Sequence, residues 1–155
     1  MIERRYLSAL RRICNRLSGL KHPWAITGSL GLALQGVAVD VHDVDIQTNK
    51  EGAYQIVDLL TEKVVKPVSF LESEGIRSHF GQIETEGCII EIMGDIEKKS
   101  ELGWEGPPRL SEILRIVRFE ELSVPVLDLD YERTAYGQLN RMTTVEAIEQ
   151  ALAKL

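Results

Sequence analysis

The chain is expected to adopt an α+β (mixed α/β) fold, a small mixed sheet flanked by helices with a helical tail at about 128–155. Three observations point there. Apolar residues at three- and four-residue spacing open and close the chain, short apolar runs bounded by glycine follow the first helix, and β-prone runs fill the middle. At 155 residues, 44% of them hydrophobic, the chain suffices for one ordinary domain with a real core, and residues 1–155 are expected to form it.

Ile2, Tyr6, Leu10, Ile13, Leu17 and Leu20 mark one face of an amphipathic helix whose arginines lie off the stripe, and Gly19 and Pro23 end it. Trp24-Ala-Ile-Thr27 reads as a strand, Gly28-Ser29 as a tight turn, and Leu30, Ala33 and Leu34 as a short helix stopped by Gly36. Val44 to Thr48 alternates as a strand does, and Ala53, Ile56, Val57, Leu59, Leu60 and Val64 outline the next helix. Ile76–Ile83 and Cys88–Met93 flank Glu86-Gly87 as a β-hairpin. Residues 94–110, with Gly103, Gly106, Pro107 and Pro108, read as a long loop, and Ile113–Phe119 as another strand. After Pro125 the spacing returns to helix, first through Leu129, Ala135 and Leu139, then through Val145, Ile148, Ala151, Leu152 and Leu155.

Composition excludes several function classes. No apolar run reaches the length of about 18 residues that a membrane span needs, and the N-terminus MIERRYLSALRR lacks the apolar centre of a signal peptide, so a soluble, cytoplasmic protein is expected. Cys14 and Cys88, far apart and among apolar neighbours, read as reduced core residues. The net charge of -6 is uneven: residues 1–21 hold six Lys or Arg against Glu3 alone, leaving -11 for the rest. That balance disfavours a broad nucleic-acid surface. It permits a nucleotide ligand if metal ions bridge carboxylates to phosphates.

The chemistry concentrates between Gly28 and Asp45. A strand sets residues i and i+2 on one face, so Asp43 and Asp45 project together while Val44 and Ile46 point to the opposite side. Two carboxylates that close repel each other, and a hard divalent cation with oxygen ligands offsets them. Upstream, Gly28 allows close backbone approach to a ligand, and Ser29 opens a helix whose free N–H groups can face a phosphate.

Gly28-Ser29, thirteen further residues, then Asp43-Val44-Asp45-Ile46 resembles the signature of the polymerase-beta-like nucleotidyltransferase superfamily, which includes aminoglycoside, lincosamide and minimal toxin–antitoxin nucleotidyltransferases. The resemblance spans about residues 20–65, and Val124 to Tyr136 is similar in style to the small-molecule members, where a strand leads into a helical tail. It implies a nucleotidyltransferase-like fold and a third carboxylate from a neighbouring strand. Glu91 in Cys88-Ile-Ile-Glu-Ile-Met93 is the preferred candidate, with Asp95 the alternative. The implied reaction moves a nucleoside monophosphate, AMP from ATP by default, to a hydroxyl of a small molecule or protein. The resemblance makes Asp43, Asp45 and Glu91 both the catalytic residues and the ligands of two Mg²⁺ ions, with Mn²⁺ able to substitute, and gives the triphosphate to Gly28 and Ser29. His42, directly before Asp43, reads as a phosphate contact, a proton acceptor or a strand cap, Arg77 and His79 share a parity that could face a triphosphate, and Glu132 and Arg133 are left outside the site.

Two other readings compete. A catalytically silent module of the same fold, binding a nucleotide or a protein partner as an antitoxin does, would be favoured by a Glu91 lying away from Asp43 and Asp45. An Asp-x-Asp glycosyltransferase would need a larger nucleotide-sugar domain and leaves Gly28-Ser29 unexplained.

Overall fold

The computed structural model describes residues 2–155 and forms one eight-stranded mixed sheet with helices on both faces. Helix α1 (Arg4–Arg16) buries Tyr6, Ala9, Leu10 and Ile13, as its spacing dictates. Its arginines are largely consumed by carboxylates: Arg11 pairs with Glu120 and Glu121, and Arg12 with Glu62. Strand β1 (Trp24–Thr27) runs straight into helix α2 (Gly28–Leu34), which Gly36 closes at a positive φ of 86°. Strand β2 (Val44–Thr48) leads to helix α3 (Lys50–Leu60), capped by Asn49, whose side chain accepts the Gly52 N–H at 2.7 Å.

The middle of the chain holds more strand than the sequence suggests. Helix α3 stops at Leu60 because Thr61 turns left-handed with φ 50°, so Val64 belongs to strand β3 (Lys63–Ser73) and not to the helix. Strands β4 (Ile76–Thr85) and β5 (Cys88–Ser100) form the expected hairpin around Glu86-Gly87, but β5 runs on through Gly94 and pairs with a short β6 (Gly103–Glu105). Much of the expected 94–110 loop is therefore sheet: Gly94 is a close-packing site against α3, not a breaker. A single turn of helix α4 (Leu110–Ile113) precedes β7 (Leu114–Phe119), so Ile113 ends a helix and does not begin a strand. Strand β8 (Leu122–Leu127) passes through Pro125, which is tolerated because β8 meets its inner neighbour β1 only near Ile26 and Val126. Helices α5 (Leu129–Gln138) and α6 (Met142–Ala153) complete the chain, α5 capped by Asp128, whose carboxylate accepts the Tyr131 N–H at 2.7 Å.

Strand order is β3-β4-β5-β2-β1-β8-β7, with β2 antiparallel to β1 and parallel to β5. One face is dry: Val44, Ile46, Ile90, Ile92 and Val126 pack under α1 and α3. The other face carries Ala25 and Leu127 beneath Leu110, Leu114 and Tyr131, so α4 and α5 shield only part of it. Both cysteines are free, and among the described residues no helix is long and apolar enough to cross a membrane.

Candidate functional site

The polar residues of the second sheet face align because the registers of four strands coincide. Asp45 lies opposite Thr27 on β1 and opposite Glu91 on β5, and Glu91 in turn lies opposite Gln82 on β4. Alternation forces this row: the neighbours Ile26, Ile46 and Ile90 all face the core and are wholly buried. Gln82 donates its amide N–H to one oxygen of Glu91 at 2.8 Å, which orients that carboxylate.

Asp43 precedes β2 and is positioned by the loop before it. The Tyr6 hydroxyl donates to the His42 carbonyl at 3.0 Å, and the His42 backbone N–H donates to Ser29 Oγ at 3.1 Å. Core helix and turn thus hold the His42 backbone at both of its peptide groups, next to Asp43. The His42 side chain itself is exposed. The Ser29 hydroxyl is in part a structural acceptor, a role the sequence did not disclose.

Asp43, Asp45 and Glu91 each present a carboxylate oxygen to a common point, all within 4.8 Å of one another. Asp95 is outside this group. Burial, then the charge of Asp43 and of Glu91, pushes the Asp45 pKa up to about 8, and burial followed by Glu91 raises that of Asp43. Asp45 Oδ1 is buried with no hydrogen-bond partner. A buried, unsatisfied carboxylate oxygen costs free energy on its own, and a divalent cation bound among the three carboxylates would remove both that deficit and the mutual repulsion. The residues present therefore fit a hard metal ion.

Gly28 approaches a different group from the one its sequence suggests. With φ 68° it turns left-handed, and a Cβ there would overlap Oδ2 of Asp45. The glycine makes room for this chain's own carboxylate. Behind it stands Glu132 of α5, only 3% exposed, accepting the Thr27 hydroxyl at 2.8 Å and the Gly28 N–H. Burial pushes its pKa up to about 7. The sequence reading left Glu132 out, yet a signal existed: it falls on the buried stripe Leu129, Glu132, Ala135 of α5, where a charge needs a reason.

Arg77 and His79 are not brought to the cluster. A bulge between them breaks their shared parity, Arg77 pairs with Glu97 at 2.5 Å and stacks on Trp104, and His79 bonds the Tyr54 hydroxyl at 3.1 Å. Two clefts flank the carboxylates and share Tyr136 and Arg141 as a wall. One of about 560 Å³ runs past Ser29, Asp40, His42 and Thr143; the other, about 160 Å³, reaches Asp45, Gln47, Lys98 and Glu132.

Comparisons with known proteins agree with this architecture. The family model described as aminoglycoside-2''-adenylyltransferase matches residues 9–150. TM1012 of Thermotoga maritima, provisionally assigned as a nucleotidyltransferase, is 46% identical over 100% of this chain and 97% of its own, with a TM-score of 0.87. The lincosamide adenylyltransferase LnuA, solved with lincomycin, is 12% identical over 97% of this chain and 98% of that one, with a TM-score of 0.57. ANT(2'')-Ia, in complex with adenylyl-2''-tobramycin, is 11% identical over 95% of this chain and 89% of that one, with a TM-score of 0.58. At those low identities the last two establish the fold alone. No curated protein sequence matches the chain.

Proposed function

From the premise that the chain belongs to the aminoglycoside-2''-adenylyltransferase family, and is therefore a nucleotidyltransferase, we propose that it transfers AMP from ATP to a hydroxyl acceptor with divalent metal at Asp43, Asp45 and Glu91. The observation that carries this reading is the convergence of three carboxylates within 4.8 Å around a buried Asp45 oxygen that has no partner. A nucleotide with its metal meets what that arrangement lacks.

Each residue has a role that follows from its position. Asp43 and Asp45 would hold two divalent ions, with Glu91 completing the ligand set from the adjacent strand. Bound there, the ions would supply positive charge to offset that of the triphosphate and of the developing transition state. The cleft of about 560 Å³ beside Ser29 and His42 is of a size suited to a nucleotide, and Arg141 and Thr143 on its far wall offer N–H and O–H donors to phosphates. The smaller cleft reaching Asp45 receives the acceptor. Its hydroxyl oxygen bonds to the α-phosphorus, the bond from that phosphorus to pyrophosphate breaks, and the hydroxyl proton passes to Glu91, whose second oxygen is held by Gln82. Glu132 touches no substrate in this scheme. It fixes Thr27 and Gly28, and through Gly28 the carboxylate of Asp45.

The silent-module reading would gain from a Glu91 lying away from Asp43 and Asp45, whereas the three carboxylate oxygens lie within 4.8 Å of one another. Calorimetric titration of Mg²⁺ or Mn²⁺ with ATP tests the metal site directly. Wild type is expected to bind the metal–nucleotide pair, and Asp43→Asn and Asp45→Asn to lose at least roughly ten-fold in affinity. Equal binding by all three proteins would remove the metal site from the mechanism.

A further inference from the structure

Two cations, Lys98 and Arg141, line the cleft that reaches Asp45, whereas Arg77 on the strand paired with β5 is neutralised by Glu97. Lys98, on β5 beyond Glu91, is half-buried yet makes no hydrogen bond or ion pair with a carboxylate among the described residues. Its ammonium lies 5.4 Å from the centre of the Tyr131 ring of α5. Burial lowers its pKa, while the charges of Glu132 and of Glu105, its cross-strand neighbour on β6, pull the other way. An ammonium withdrawn from water with no carboxylate at ion-pair distance is unfavourable, and an anionic ligand relieves it.

The cavities around Lys98 say where that ligand lies. Lys98 lines the cleft of about 160 Å³ that reaches Asp45, an adjoining cavity of about 200 Å³ beside Glu105 and Gly106, and a third of about 440 Å³ beside Gly75 and Ser100. It is the shared wall of all three. In the first of them the carboxylates are already committed: Asp45 belongs to the metal cluster, and Glu132 is engaged by Thr27 and Gly28. Arg141, on the wall the two clefts share, faces the nucleotide phosphates in the proposed function, which leaves Lys98 as the cation for this ligand.

We propose that the acceptor is a hydroxyl compound bearing an acidic group, a carboxylate or a phosphate monoester, with that group on Lys98 and its hydroxyl toward Asp45. The proposal deepens the nucleotidyl-transfer reading and rests on it for the meaning of "acceptor". It also separates this chain from ANT(2'')-Ia, whose structure contains adenylyl-2''-tobramycin. A polyamine such as tobramycin would set ammonium groups against Lys98.

The test needs neither metal nor ATP, so its failure is distinct from failure of the nucleotidyl-transfer reading. Full-length protein carrying [13Cε]lysine is titrated with gluconate, glucose 6-phosphate, glucose and tobramycin, and the Lys98 signal is followed by NMR. One or both acids are expected to move that signal and to bind roughly ten-fold or more weakly to Lys98→Gln, while Lys98→Arg retains them. A response to gluconate alone assigns a carboxylate, and a response to glucose 6-phosphate alone a phosphate. Tobramycin binding more tightly than either acid, acid binding unchanged in Lys98→Gln, or an unmoved Lys98 signal in wild type would each overturn the proposal. The wild-type titration stands whether or not the variants fold.

Discussion

Gly28 and Asp45 behave as one unit at the residue scale. The backbone of the turn packs directly against the carboxylate of Asp45, which lies between Thr27 and Glu91 in the sheet register, and that contact goes with positive φ and no side chain at Gly28. Gly28→Ala is therefore expected to act twice. The left-handed conformation costs an alanine about 1–2 kcal/mol. The added methyl also displaces the Asp45 carboxylate, and a shift on the order of 1 Å in a reacting group can lower turnover about 100-fold. Urea denaturation and metal-dependent nucleotidyl transfer measure the two effects separately. A variant that loses stability but keeps full turnover would show that Asp45 tolerates displacement. The pair Asp43 and Asp45 was legible in the sequence because a charge inside a Val and Ile strand breaks the pattern. The reason for Gly28 was not, since the group it approaches comes from seventeen residues downstream.

At the scale of elements, the site exists because β5 sits beside β2 in parallel register, which places Glu91 level with Asp45. That pairing depends on how α3 crosses the sheet. A Cβ on Gly94 would lie 2.6 Å from the Asn49 carbonyl oxygen and 2.8 Å from the Ala53 Cβ, both backbone-anchored parts of the α3 entry. Gly94→Ala is expected to cost about 1–3 kcal/mol by overpacking. Gly106→Ala, with nothing within 4 Å, should stay within about 0.5 kcal/mol of wild type. Chemical denaturation of the two variants side by side checks this, and equal stabilities would mean that α3 is free to ride outward. Local pattern identified β1, α2 and β2 well, because turn, cap and period agree over a short span. It failed for β3 and for the far half of β5. Gly94 and the charges of Asp95, Glu97, Lys98 and Lys99 look like loop chemistry, whereas strand pairing with β4 and β6 decides their conformation.

For the whole molecule, the question is how the C-terminal helices are tied to the sheet that carries the carboxylates. Leu129 and Ile148 pack with Leu32 and Val37, an apolar contact between α5, α6 and the segment from α2 onward. The polar tie is Glu132, buried beside Thr27 and Gly28. Burial leaves its carboxyl protonated in the native state up to about pH 7, against 4.5 for the ordinary group. Between those values the folded chain binds more protons than the unfolded chain, so stability falls as pH rises. The stabilisation is complete below the unfolded pKa and lost on passing the folded one. The full swing is on the order of 3 kcal/mol. Asp45 contributes with the same sign in metal-free protein, because its pKa is also raised, so wild type alone cannot apportion the effect. Comparison with Glu132→Gln can, since the glutamine does not titrate. The stability difference between variant and wild type is expected to move in the variant's favour between pH 4.5 and pH 8. Urea midpoints collected in saturating Mg²⁺ would hold Asp45 ionised at both ends and leave Glu132 as the varying group. A difference that stays constant across this range would mean that Glu132 is charged in the native state at acid pH. The docking of α5 would then rest on an ionised carboxylate accepting from Thr27 and Gly28.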